Sequence, residues 1–189
     1  MHCSVFVILV AFVTLVGCEN QKKASQETVR DKLEKALSSV TVQVPAGVDP
    51  TAKAGKSYIY WHNAICALNV WKDIPKEGWP YDEWQWEIIK KHLEDLSVQG
   101  VDEDAVHAVL VQSQAITEAI NEVKKAITNA GAQSAGQHPA AGIVYGITNG
   151  LAGNSAAASS LENGRAEVVR VRSILIARYD LDFPLLLNE

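Results

Sequence analysis

One stretch in the second half of the chain constrains the fold more than any other. Apolar and small side chains recur there at a period of about 3.5 residues, as on one face of a helix that packs along a neighbour. The members of this seam are Val106, Val109, Leu110, Ser113, Ile116, Ile120, Val123 and Ile127. Asp102 is a candidate N-cap, Glu103 and Asp104 suit the positive end of the helix dipole, and Gly131 is a candidate end. The pattern predicts a helix about 40 Å long, because each residue adds roughly 1.5 Å.

Four further segments carry patterns that favour helices. Their approximate bounds are residues 26–40, 51–71, 82–98 and 160–179. The segment 51–71 is apolar on most sides in its second half, which is typical of a helix packed by several neighbours. Gly100 stands where a C-terminal cap of the helix over 82–98 belongs. Residues 40–44 alternate in polarity like a strand, but the sequence offers no partner strand for them.

These patterns together predict an all-α protein. The connections between the helical segments are short, which favours antiparallel neighbours and an up-and-down helical bundle of about four to five helices. We expect residues 26–189 to form a single helical domain, with a segment rich in small residues at 130–160. The apolar tail, residues 183–187, either docks back on the bundle or meets a partner.

The first residues of the chain carry its most specific motif. A short apolar run over residues 5–16 leads into Leu15-Val16-Gly17-Cys18, and polar sequence follows from Glu19. The run is shorter than the roughly 20 residues that a membrane-spanning helix needs. The motif resembles the lipobox of bacterial lipoproteins, which follows a secretory signal and ends in an acylated cysteine. The resemblance implies cleavage before Cys18 and acylation of that residue.

The same resemblance implies an organisation and a location. Residues 1–17 form a signal peptide, and residues 18–25 comprise the lipidated cysteine and a polar tether. The first partner is then the lipid bilayer, reached through acylated Cys18. The protein is expected on the exported side of the bacterial cell envelope. An Asp directly after the acylated cysteine would resemble the inner-membrane retention signal of enteric bacteria. Glu19 occupies that position instead, and this difference favours placement in the outer membrane.

Charge and cysteine content argue against nucleic acid as a partner and against stabilisation by an intramolecular disulfide bond. The formal net charge is −5, so no basic excess recruits nucleic acid. Cys3 leaves with the signal peptide and Cys18 is used by lipid, which leaves Cys66 without an intramolecular disulfide partner. Cys66 lies between apolar neighbours, and we expect it to be a small buried hydrophobic residue.

Aromatic side chains are concentrated in one part of the sequence. All five tryptophans fall there, and they are Trp61, Trp71, Trp79, Trp84 and Trp86. The favoured interpretation is an aromatic core where the helices over 51–71 and 82–98 meet, because large rings dominate core burial. A stacking surface for a ligand is the functional alternative, for which Trp79, between Gly78 and Pro80, is the best candidate. A position at the membrane interface is the third interpretation.

Two weaker patterns in the sequence bear on helix packing and on metal binding. Gly142, Gly146 and Gly150 repeat every fourth residue, a spacing that lets another helix approach closely if the segment is helical. The histidines lack the i, i+4 pairing of a helical metal site. Asp104 and His107 are three residues apart, but the further carboxylates of a di-metal bundle are absent from the pattern. The sequence therefore predicts no metal site and no cofactor.

Two functions from different classes follow from these observations. The first is a membrane-anchored envelope lipoprotein that acts as a non-enzymatic helical scaffold or as a module that binds an envelope protein. The alternative is a ligand-binding lipoprotein that uses the Trp and Tyr cluster at residues 58–86 as a stacking pocket. The sequence shows no catalytic constellation, so an enzyme is the least favoured class.

Overall fold

The computed structural model describes residues 30–73, 83–135 and 155–185, which are almost entirely helical. The helices are α1 over residues 30–38, α2 Lys53–Asp73, α3 Glu83–Glu94, α4 Glu103–Ala135 and α5 Ser155–Tyr179. No strand occurs among the described residues, and residues 40–44 take no regular structure. The predicted all-α class is confirmed.

The chain divides into two compact units, Met1–Ser39 and Val40–Glu189. Helix α1 belongs to the first unit, where Leu33 and Leu37 are buried as their spacing on one helix face predicts. The last turn closes with a hydrogen bond from the Ser39 N–H to the Lys35 carbonyl oxygen, 3.0 Å long. The boundary of a single domain at residue 26 stays a prediction.

In the second unit, α3 and α4 run antiparallel. Glu83, at the start of α3, pairs with Lys124 over 2.7 Å, and the indole N–H of Trp86 donates to Thr117 Oγ1 over 3.0 Å. The residue number on α4 therefore falls as the number on α3 rises. Glu83 and Lys124 are both exposed, so their ion pair contributes little to the stability of the fold. Its value here is that it shows the register of α3 against α4.

Helices α4 and α5 also run antiparallel, and they share the most extensive helix–helix contact among the described elements. Asp102, which precedes α4, meets Arg178 at the end of α5, and Val123 packs with Ala157 near the start of α5. Helix α2 runs in the direction of α4, because Ser57 contacts Asp102 while the later α2 residue Trp71 packs on α3. The four helices thus form the predicted up-and-down bundle.

Several predicted details of these helices are wrong. Helix α4 continues through Gly131 to Ala135, and α5 begins at Ser155 rather than Ser160. Helix α3 ends at Glu94, so Gly100 does not cap it. Gly100 instead has a φ of 76° within a turn in which the Val101 N–H donates to the Val98 carbonyl oxygen, a conformation that glycine adopts without strain.

Leu110 is the clearest error within the predicted seam. Its side chain is 53% exposed, whereas small residues take the inner positions of α4. These residues are Ala105, Ala108, Ala115 and Ala119, each buried. Ala115 and Ala119 lie against α5, where small side chains permit close approach, and they share the buried face of α4 with larger apolar residues such as Ile116 and Ile120.

Gly164 marks the closest approach of α5 to α4. A Cβ atom at this position would lie 2.5 Å from Gln112 Oε1, 2.7 Å from Ala115 Cβ and 3.2 Å from Gln112 Cα. We expect Gly164→Val to lower the free energy of unfolding by about 1–3 kcal/mol, because the helices must separate. Urea unfolding measures the change. Asn163→Val, one residue away and exposed, is the control, and an equal loss in both variants would contradict the close packing at Gly164.

None of the described helices combines the length and the apolar character that crossing a membrane requires. Helix α2 has the widest apolar face, and it is covered from several sides. Its buried hydrophobic residues are Tyr60, Trp61, Ala64, Ile65, Ala67, Leu68 and Trp71. This burial agrees with a helix packed by more than one neighbour, and α2 contacts both α3 and α4.

Candidate functional site

A buried carboxylate lies where the ends of three helices meet. Asp102 is 1% exposed, and its Oδ1 accepts a 3.0 Å hydrogen bond from the Asp104 N–H, as an N-cap of α4 does. Its Oδ2 accepts hydrogen bonds from Arg178 Nη1 at 2.6 Å and from the Tyr179 hydroxyl at 2.5 Å. The predicted cap of α4 therefore also holds the C-terminal end of α5.

The same residue reaches α2 through its backbone. The Asp102 N–H donates to Ser57 Oγ over 2.8 Å, and the fully buried Ser57 hydroxyl donates to the Lys53 carbonyl oxygen over 2.6 Å. Arg178 Nη2 makes a second contact of 2.8 Å with Asp104 Oδ2. We call the set Ser57, Asp102, Asp104, Arg178 and Tyr179 the polar clasp.

The contacts of the polar clasp keep its carboxylate ionised. Burial alone would raise the pKa of Asp102, but hydrogen bonds from Tyr179, Arg178 and the Asp104 N–H outweigh it and hold that pKa below its usual value. Burial and the hydrogen bond to Asp102 raise the pKa of Tyr179. Both carboxylate oxygens of Asp102 thus accept hydrogen bonds, and this carboxylate joins the start of α4 to the end of α5.

The lowered pKa of Asp102 predicts how stability depends on pH. Stabilisation by the ionised form is complete above about pH 4 and is lost as the pH falls through the folded-state pKa. We expect the native chain to lose more free energy of unfolding between about pH 7 and pH 3 than Asp102→Asn loses. The lowered pKa values of Asp49, hydrogen-bonded to Thr51, and of Glu167, hydrogen-bonded to Arg170, are common to both chains. Urea unfolding at both pH values tests this, and equal losses would contradict it.

The chain after α5 folds back onto the bundle. Phe183 is fully buried, and its carbonyl oxygen accepts a 2.6 Å hydrogen bond from Arg172 Nε. The Trp61 indole N–H donates to the Pro184 carbonyl oxygen over 2.9 Å. Of the two alternatives for the tail, docking on the bundle is observed for Phe183 and Pro184, whereas Leu185 is 37% exposed and residues 186–189 lie outside the described part.

The buried Phe183 ring lies among three other rings. The centroid of Tyr58 is 5.5 Å away, that of Trp61 is 6.2 Å away and edge-on, and that of Tyr179 is 6.3 Å away. Such tilted and edge-on pairs are favourable beyond the area that they bury. We call Tyr58, Trp61, Arg172 and Tyr179 the tail groove.

The predicted tryptophan cluster is divided between core and surface. Trp61, Trp71 and Trp86 are at most 7% exposed, and Trp71 packs edge-on against Trp86 with centroids 5.5 Å apart. Trp84 is half-buried on α3, and Trp79 lies outside the described residues. The three buried rings are core residues, as the favoured interpretation expects, and they offer no face for stacking.

The other candidate residues that the structure describes do not form a catalytic or metal-binding arrangement. Cys66 is half-buried with its Sγ 3.5 Å from His62 Nδ1, and burial raises the pKa of this thiol. His107 is largely exposed on α4 and lies 4.0 Å from Glu167. Within the described ranges, no three His, Cys, Asp or Glu residues are placed to hold a metal ion. Cys18 and the glycines Gly142, Gly146 and Gly150 lie outside those ranges.

No family model, curated protein or solved structure matches this chain. The interpretation of the site therefore depends on its own geometry alone. Sequence patterns identified Asp102 only as a cap, because its partner Arg178 is 76 residues away. The Arg178 side chain is 43% exposed while its guanidinium reaches the buried Asp102. No local pattern marks such a pair.

Proposed function

We propose that this protein is a lipoprotein of the bacterial cell envelope whose helical domain is a non-enzymatic scaffold or interaction module. The observation that carries the proposal is Leu15-Val16-Gly17-Cys18 at the end of an apolar run. Cleavage before Cys18 and acylation of its thiol and new amino group give a stable anchor, since more than one chain is attached. Residues 19–25 then allow the domain to stand at most about 25 Å from the bilayer.

The chemistry of the described residues supports binding over catalysis. Both oxygens of Asp102 are engaged by donors within the polar clasp, so this carboxylate is not presented to a substrate. The raised pKa of Cys66 keeps its thiol protonated, whereas a nucleophilic cysteine needs a lowered pKa. The ring of Phe183 instead fills an aromatic pocket of the same chain, where it packs against Tyr58 and Trp61.

The stacking-pocket alternative receives less support. It needs accessible ring faces, and Trp61, Trp71 and Trp86 are buried in the core. That alternative now depends on the half-buried Tyr58 and Trp84 and on Trp79 and Tyr81, which lie outside the described residues. We therefore propose the interaction module and treat the buried rings as part of the scaffold.

Replacement of Cys18 tests the anchor. We expect the native chain, expressed in a bacterium, to be in the membrane fraction and to leave it only in detergent. Cys18→Ser removes the thiol that is acylated, so the mature, acylated form should disappear from a gel of labelled lipoproteins. Cys66→Ser is the matched control and should be labelled like the native chain. Equal labelling of Cys18→Ser would contradict the proposal.

A further inference from the structure

We draw no further inference here: the strongest candidate, the half-buried outer face of α2 around His62 and Cys66, whose Nδ1 and Sγ atoms lie 3.5 Å apart, carries nothing further, because nothing among the residues that the structure describes shows what covers it.

Discussion

Trp86→Ala is expected to lower the free energy of unfolding by about 3–5 kcal/mol, the largest loss of any single substitution considered for this domain. The indole is 1% exposed and lies edge-on to Trp71. Its N–H donates to Thr117 Oγ1 on α4. Truncation removes the contacts that the indole makes with Trp71 on α2 and Thr117 on α4, and it leaves a cavity that the helices fill only in part. Urea unfolding followed by circular dichroism measures the loss.

Trp84→Ala is the matched control for this experiment. Trp84 lies on the same helix but is half-buried, so we expect its truncation to cost less than about 1.5 kcal/mol. A loss at Trp86 no larger than that at Trp84 would contradict the placement of the cluster in the core. It would also restore the stacking pocket as an interpretation of the tryptophans.

Asp102→Ala is expected to lower the free energy of unfolding by about 3 kcal/mol. The variant loses the N-cap of α4, worth about 1 kcal/mol, and the two hydrogen bonds that Asp102 itself accepts from Arg178 and Tyr179 at the end of α5. Removing one partner of a buried ion pair typically costs about 3–5 kcal/mol. The value here is at the lower end, because the Arg178 side chain is 43% exposed and keeps part of its hydration.

Comparison with Asp104→Ala separates the effect of losing a buried carboxylate from the effect of losing an exposed one. Asp104 pairs with the same guanidinium at 2.8 Å, but its side chain is 43% exposed, so its loss should cost less than about 1 kcal/mol. Chemical denaturation of both variants at neutral pH gives the comparison. Similar losses would mean that the polar clasp acts as an ordinary surface ion pair and does not hold the three helix ends.

Helix faces were predictable where large apolar residues face a partner. Val168, Val171 and Leu175 on α5 and Ile116 and Ile120 on α4 are all buried as their spacing predicts. Leu110 belongs to the same predicted seam and is exposed, because the buried face of α4 at this level consists of Ala108, Val109 and Gln112 and Leu110 lies beside that face. Periodicity records where apolar residues recur, but it contains no information about the size of the neighbouring surface.

The long-range contacts were not predictable from local sequence. Asp102 satisfies its own helix as a cap, and nothing nearby indicates that its second oxygen meets Arg178 and Tyr179. The apolar tail was recognised as a segment that must be covered, with two alternatives for its cover. Choosing between them requires the ring positions of Tyr58 and Trp61 on α2, which exist only in the assembled bundle.

The intact mass of the protein extracted from bacterial membranes tests the central claim most directly. The account predicts a chain whose first residue is Cys18, with the added mass of a diacylglyceryl group and an amide-linked acyl chain. Enzymatic digestion should place all of the added mass on the first residue. An unmodified chain that still contains residues 1–17, or one cleaved at another bond without lipid, would contradict the account.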